Sequence, residues 1–433
     1  MLTAVRMDRA LMGRTWIAAL VVLAAIELVL YSSALSGHWI DSGRDMRDIL
    51  PELRTATVRT VAGWLTGPWV GHMLFDYYRP VSSIAMLAEY RLFGESAANW
   101  QLVSLCLHVG SSVMLVLLIR GLFNSPLGAL AGGAVWAFRD RMALAIEWTP
   151  AQTDMFAAFF AIFSLLCLHK AMSTGRWGFA AVSGVAELLA MASKEVALVL
   201  PALATLVIIY DRQQPKQAKA LLLVFFWLLL GAFLIWRFHA LSGFGYVPMQ
   251  AKLGAPGRHF HVATYYTNWL LFILPQALGP KASINALAVW TAGIVLLVCV
   301  RIARSGSGKW MILAVAGIIA INFMLISWIE WLVASTYWSI LEGVLCMGLL
   351  WLMFAVRKRD ILMSLTWGAL AWIPIAHPVY NPAGNVTYLP QTYWALLWAC
   401  VVAAMVSLAE RITMRAASCA EAEVPLVSQS SPS

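Results

Sequence analysis

The side chains able to do chemistry in this 433-residue chain are few, and most fall at the ends of apolar runs. Carboxylates stand at Asp41, Asp45, Asp48 and Asp76, then at Asp154 and Glu195, with the cations Arg79 and Lys194 close to them in the chain. A carboxylate at a lipid–water boundary is harder to ionise than one in water unless a cation sits beside it, which suits a general base. Arginine grips a phosphate through two parallel hydrogen bonds, and lysine meets one as a point charge. Each residue also has a plainer use. Asp41 with Ser42 suits the cap of a surface helix, and Arg79 and Lys194 suit snorkelling or headgroup contact. Tyr77, Tyr78, Trp39 and Trp148 have the shape to stack on a sugar ring, but interfacial aromatic belts use the same residues. Inside the apolar runs lie Glu27, His108, Glu187 and Glu342. Titratable groups at such depth are costly and mark either function or a buried interhelical hydrogen bond.

The elements that must position these groups are membrane spans. Hydrophobic residues make up 61% of the chain and charged residues 12%, with a mean hydropathy of +0.77, far from the composition of soluble domains. A helix crossing the hydrocarbon needs about 20 apolar residues, and such runs recur near 16–36, 99–120, 126–138, 154–171, 177–192, 195–210, 220–240, 284–301, 310–327, 335–356, 361–376 and 390–409. The expected fold is an all-α polytopic membrane protein of about 12 transmembrane helices. The run 262–280, broken by Pro275 and Gly279-Pro280, reads as an interfacial or re-entrant piece on the outer face. Arg14, Arg120, Lys170, Arg176, Arg212, Arg301 and Arg357–Arg359 gather at one set of helix ends, which predicts a cytoplasmic face there and both termini inside. The first apolar run is too long for a cleavable signal and reads as an anchor.

Other classes fit poorly. The net charge of +9 is spread singly between spans and forms no nucleic-acid patch. Cys106, Cys167, Cys299, Cys346 and Cys400 lie in apolar runs and Cys419 in the tail, which reads as small hydrophobes and not as a disulfide framework. The segment 37–99 is the long interruption. Leu50, Leu53, Val58, Val61 and Leu65 recur there at helical spacing, so it reads as a large first outer loop of amphipathic interfacial helices. A loop of this length with so many apolar residues is where function is expected.

Four motifs carry a resemblance. They are Asp41 in "GHWIDS", the stretch "DYYRPVSSIAMLAEYRLFGESAANWQLVSLCLHVG" from Asp76 to Gly110, "IEWTPAQTDMFAAFFAIFSLL" from Ile146 to Leu166, and "LLAMASKEVALVLP" from Leu188 to Pro201. Their order and their placement on one membrane face resemble the GT-C superfamily of polyprenyl-phosphate-sugar-dependent glycosyltransferases. Within it they resemble the protein O-mannosyltransferase-like branch that includes the transmembrane-and-TPR enzymes, here without the TPR array. "YLP" at Tyr388–Pro390 is similar to a feature before that family's last spans. Ser42 stands where a second acid is common, and Gln101 and Ser104 replace other polar residues ahead of the histidine.

The resemblance implies a membrane glycosyltransferase moving a sugar from a polyprenyl-phosphate donor to a protein, lipid or glycan acceptor on the outer face of the membrane, with inversion; the compactness of the chain and the missing TPR array suggest a bacterial inner membrane. It implies Asp41 as base, and Asp76, Tyr78, Arg79, His108, Asp154, Lys194 and Glu195 around the substrate. No cofactor is expected. Asp41, Asp45, Asp48 and Asp76 offer oxygens suited to a hard cation, but no metal is predicted. A secondary transporter or a lipid-linked glycan polymerase or ligase is the alternative. Residues 1–240 are expected to form the catalytic module, 241–410 a variable transmembrane region, and 411–433 a disordered tail.

Overall fold

A computed structural model describes residues 2–39, 44–69, 77–243, 356–371 and 388–422. Asp41, Asp76, Glu342, the run 262–280, the expected spans at 284–301 and 310–327, and nearly all of 335–356 lie outside the described residues.

Among the described residues the protein is helical and contains no strand. Helix α1 runs Leu2–Leu30, ends in a 3-10 turn at Ser32–Ala34, and leads into the first outer loop. That loop carries α2 (Arg44–Thr55), α3 (Val58–Thr66) and α4 (Pro80–Phe93). Thr57 separates α2 from α3. Its hydroxyl accepts from the Thr60 amide and the Thr60 side chain accepts from the Thr57 amide, a reciprocal N-terminal cap. The expected amphipathic stripe is therefore split over two helices. Leu53 is fully buried with Met46, Ile49, Trp64, Met86 and Trp100, whereas Val58 and Leu65 are exposed.

Then come α5 (Ala97–Phe123), α6 (Pro126–Ala137), α7 (Asp140–Glu147), α8 (Gln152–Thr174), α9 (Trp177–Met191), α10 (Leu200–Tyr210) and α11 (Lys216–Ala240). Their boundaries follow local signals: Pro126 opens α6 behind a Ser125 side-chain cap, and Asn124 and Gly175 close α5 and α8 in the left-handed conformation. Helix α12 covers 356–371, and α13 covers Thr392–Ala422, continuing past residue 410, where a disordered tail was expected to begin. Among the described residues, Ala97–Phe123, Thr149–Thr174 and Lys216–Ala240 are long and apolar enough to cross a membrane, and the shorter apolar helices lie beside them.

The core is built where α5 packs on α6 and α8, α8 on α9, and α6 on α13. At the last of these contacts Gly128 and Gly132, one helical turn apart, lie against the backbone of Ala399 and Ala395. Small residues four apart let two membrane helices approach closely. Helix α11 is different: Leu221, Val224, Trp227, Leu228, Leu234 and Ile235 are exposed, as expected of a lipid-facing surface.

Candidate active site

The site is assembled by backbone contacts that bring three distant segments together. The Val81 amide donates to the Ala192 carbonyl at 3.1 Å and the Ser82 hydroxyl to the Ser193 carbonyl at 2.9 Å, so the start of α4 is pinned to the loop after α9. Pro80 fits the first position of α4 because its missing N–H would have no helical partner there. This leaves Arg79 just outside the helix, facing the same loop. Beyond α9 the chain extends at Lys194 and coils into a 3-10 turn at Glu195–Val199. Asp154 enters from the first turn of α8.

Four of the expected residues meet here as two ion pairs. Arg79 donates through Nε and Nη2 to one oxygen of Glu195, Oε2, at 3.0 and 2.7 Å. Lys194 Nζ donates to Asp154 Oδ2 at 2.5 Å. The guanidinium of Arg79 also lies over the rings of Tyr77, at 4.1 Å, and Trp69, at 5.1 Å, which adds cation–π attraction. The pairs act on each other: burial pushes the Lys194 pKa below the ordinary lysine range, the Asp154 charge pulls it back up, and Arg79 pushes it down. Two cations and two carboxylates sum to zero charge, which is how such groups are tolerated out of water. Asp154 Oδ1 and Glu195 Oε1 have no hydrogen-bond partner among the described residues, so each carboxylate retains an acceptor.

Other expected residues are placed elsewhere. The Tyr78 hydroxyl donates to the Leu65 carbonyl at 2.8 Å and accepts from Trp236 Nε1 at 2.7 Å, joining the end of α3 to α11. Burial raises its pKa and the Trp236 bond opposes that rise. His108 sits fully buried in a separate cluster, stacked on Trp136 with ring centroids 5.2 Å apart and edge-on to Tyr31. Its Nε2 is 3.0 Å from the Ala137 carbonyl. A carbonyl can only accept, so that nitrogen carries a proton; in the neutral ring Nδ1 then accepts from the Tyr388 hydroxyl at 2.6 Å. Glu27 accepts from Ser112 at 2.5 Å, and its other oxygen lies 3.4 Å from His108 Nε2. Glu27 thus takes part in an interhelical hydrogen bond, whereas neither carboxylate oxygen of the buried Glu187 has such a partner among the described residues.

Two further polar residues join the outer loop to the spans. Gln152 donates to Glu89 Oε2 at 3.0 Å and to the Trp100 carbonyl at 2.9 Å. Burial raises Glu89 to about 8, with the Gln152 bond opposing. Gln101, fully buried, bonds the backbone at Gly37 and His38. The signal for both was present as amides at the ends of apolar runs, but an amide does not reveal its partner from sequence. Among the described residues no group of three or more His, Cys, Asp or Glu is arranged to hold a metal ion.

A model of the family described as dolichyl-phosphate-mannose-protein mannosyltransferase matches residues 80–236, the stretch that holds His108, Asp154, Lys194 and Glu195. The match covers less than half of the chain, and over that stretch the chain is similar to this family. The chain is also similar to the Protein O-mannosyl-transferase Tmtc1 of Drosophila melanogaster, 25% identical over 187 residues, which are 42% of this chain and 22% of that protein. The chain therefore spans much less than the full length of that relative. Two solved structures of the Archaeoglobus fulgidus oligosaccharyltransferase are also similar at 13% identity. One, AglB with an inhibitory peptide and a dolichol-phosphate, aligns over 98% of this chain and 53% of its own with a TM-score of 0.48. The other, with zinc and sulfate, aligns over 92% and 50% with a TM-score of 0.46.

Proposed function

We propose that this protein transfers a sugar from a polyprenyl-phosphate donor to an acceptor hydroxyl on the outer face of the membrane. The observation that carries the reading is the meeting of Arg79, Lys194, Asp154 and Glu195 from three segments beside the first outer loop. Breaking the anomeric C–O bond releases a lipid phosphate, and stabilising that developing charge requires fixed cations. Arg79 and Lys194 are those cations, and Asp154 and Glu195 hold them charged and oriented between turnovers. On the opposite face Asp41 takes the proton of the acceptor hydroxyl as its oxygen attacks the anomeric carbon. One displacement inverts that centre. The acceptor is a protein, lipid or glycan, the membrane is a bacterial inner membrane, and both termini are cytoplasmic.

The test is transfer in membranes from a panel of radiolabelled polyprenyl-phosphate monosaccharides, with wild type, Asp41→Asn and Arg79→Ala at matched expression. Transfer by the wild type with a loss of about a hundredfold or more in Asp41→Asn is expected for a general base. Asp41→Asn keeping pace with the wild type removes Asp41 from the base role. No transfer from any donor by the wild type removes the function.

A further inference from the structure

Helix α11 has an inward face as well as its lipid-facing one. Leu222, Phe226, Leu230 and Phe233 form a stripe that is buried or half-buried against the core, and Arg237, itself half-buried, continues it one turn nearer the outer end. On the other faces of that turn Leu234, Ile235, Trp236 and Phe238 are exposed. The outer end of α11 is fixed by contacts to the first outer loop. The Phe233 ring lies 5.9 Å from that of Tyr78, and Trp236 Nε1 donates to the Tyr78 hydroxyl at 2.7 Å and to the Leu65 carbonyl at 3.1 Å. Tyr78 precedes Arg79, so these contacts bring the last turn of α11 to the segment that carries the Arg79–Glu195 pair. The charge of Arg237 is felt there. Burial disfavours the ionised carboxylate of Glu195, in the turn between α9 and α10, but Arg79 and then Arg237 favour it, and its pKa lies below the ordinary range. Arg237 also complements the C-terminal dipole of α11, as His239 does. A dipole partner has no need to face inward, and an arginine on the lipid side would snorkel to the headgroups.

We propose that Arg237 is a third cation of the donor-phosphate site, bringing its guanidinium fork to the phosphate from α11. The proposal rests on the reading of Arg79 and Lys194 as phosphate partners. Charge explains why those two do not suffice. Each is paired with a carboxylate, so their quartet exerts little net pull on an anion. Arg237 adds one positive charge in excess, which matches the single negative charge of a phosphodiester donor. When the anomeric C–O bond breaks, the phosphate becomes a monoester of about −1.5 to −2 charge. A cation already in place then stabilises the departing group more than the bound donor.

The test is binding of decaprenyl phosphate and of decaprenol to the full chain in phosphatidylcholine nanodiscs, for wild type, Arg237→Gln and Arg237→Lys, with sugar transfer measured alongside. Arg237→Gln should weaken binding of decaprenyl phosphate by about 10-fold or more, the usual worth of a hydrogen bond to a charged group, and leave decaprenol unchanged. Arg237→Lys should fall between, because lysine keeps the charge but not the fork. If Arg237→Gln does not fold, the lysine variant decides: decaprenyl phosphate bound as tightly as by the wild type overturns the proposal. Equal losses for decaprenyl phosphate and decaprenol also overturn it, because Arg237 then only shapes the site. So does displacement of decaprenyl phosphate by an equal amount of phosphatidylglycerol, because Arg237 then meets lipid headgroups. Failure of the wider reading is seen separately. A wild type that transfers no sugar yet binds decaprenyl phosphate through Arg237 loses the function and keeps this site, whereas a transferring wild type with unaltered phosphate binding in Arg237→Gln loses only Arg237.

Discussion

Arg79 and Glu195 stand 116 residues apart in sequence and meet through two guanidinium nitrogens on a single carboxylate oxygen. The Arg79 side chain is 9% exposed and that of Glu195 24%, so the pair lies between the surface and fully buried regimes. Removing Arg79 alone strands a half-buried carboxylate. Arg79→Ala should lower stability in detergent by roughly 1–3 kcal/mol, between the small worth of exposed pairs and the large cost of breaking buried ones. Arg79→Gln with Glu195→Gln should recover most of that loss in a thermal unfolding assay while transfer stays absent. Transfer returning together with stability would make the pair purely structural.

Lys194 sets an alkaline limit. Its pKa lies below the ordinary lysine range because burial penalises the cation, and the Asp154 charge restores part of the loss. A lysine lowered in the folded state binds its proton less tightly there than when unfolded, so its contribution to stability improves as pH rises from the lowered value to about 10.4. On the proposed role of Lys194 at the donor phosphate, donor binding should run the other way and weaken over the same window, because the ammonium loses its charge. The alkaline limb of kcat/KM for the donor should therefore fall below the usual lysine range. Asp154→Asn removes the charge that pulls the pKa up and should move the limb lower still. An unmoved limb in Asp154→Asn would exclude Lys194 as the titrating group.

Glu89 gives a stability effect separate from transfer. Burial holds its carboxyl at about 8, above the unfolded value, so the folded state favours the protonated form. The associated stability is complete below the unfolded carboxyl range and is lost as pH rises toward about 8, by at most about 1.4 kcal/mol for each pH unit. Melting temperature against pH in nanodiscs should slope downward through that window for the wild type and less steeply for Glu89→Gln. Parallel slopes would mean that Glu89 ionises freely in the fold.

The helices that bear the site were legible because composition alone marks a span. The runs that end near Arg120, Lys170 and Ala240 appear as α5, α8 and α11 within a few residues. Pairing was harder to read. Motif context grouped Arg79, Asp154, Lys194 and Glu195, but which carboxylate takes which cation depends on the Val81–Ala192 and Ser82–Ser193 contacts, and nothing local encodes those. Tyr78 was grouped with them by the tyrosine-arginine-proline motif and by the stacking shape of its ring; its hydroxyl goes to Leu65 and Trp236, partners that no local pattern names. The break between α2 and α3 escaped because the cap uses Thr60 where a glutamate or glutamine is the usual signature.

Gly128 and Gly132 test whether the last helix belongs to the same body as the site. A Cβ built on Gly132 would overlap the carbonyl oxygen of Ala395, and one on Gly128 would fall 2.6 Å from that of Ala399. Both obstacles are backbone, so neither can be relieved by turning a side chain. Overpacking of this kind costs about 1–3 kcal/mol. Gly132→Ala should therefore lower the unfolding temperature in detergent. Gly231→Ala, where a Cβ on α11 meets nothing within 4 Å, should leave it unchanged or raise it. His108 reads the same contact from the other side, since Tyr388 approaches its Nδ1 just ahead of α13. Displacing α13 by Gly132→Ala should thus loosen Tyr388 and raise hydrogen exchange at 388–391. Wild-type melting and exchange in Gly132→Ala would mean that α13 does not pack on α6 through these glycines.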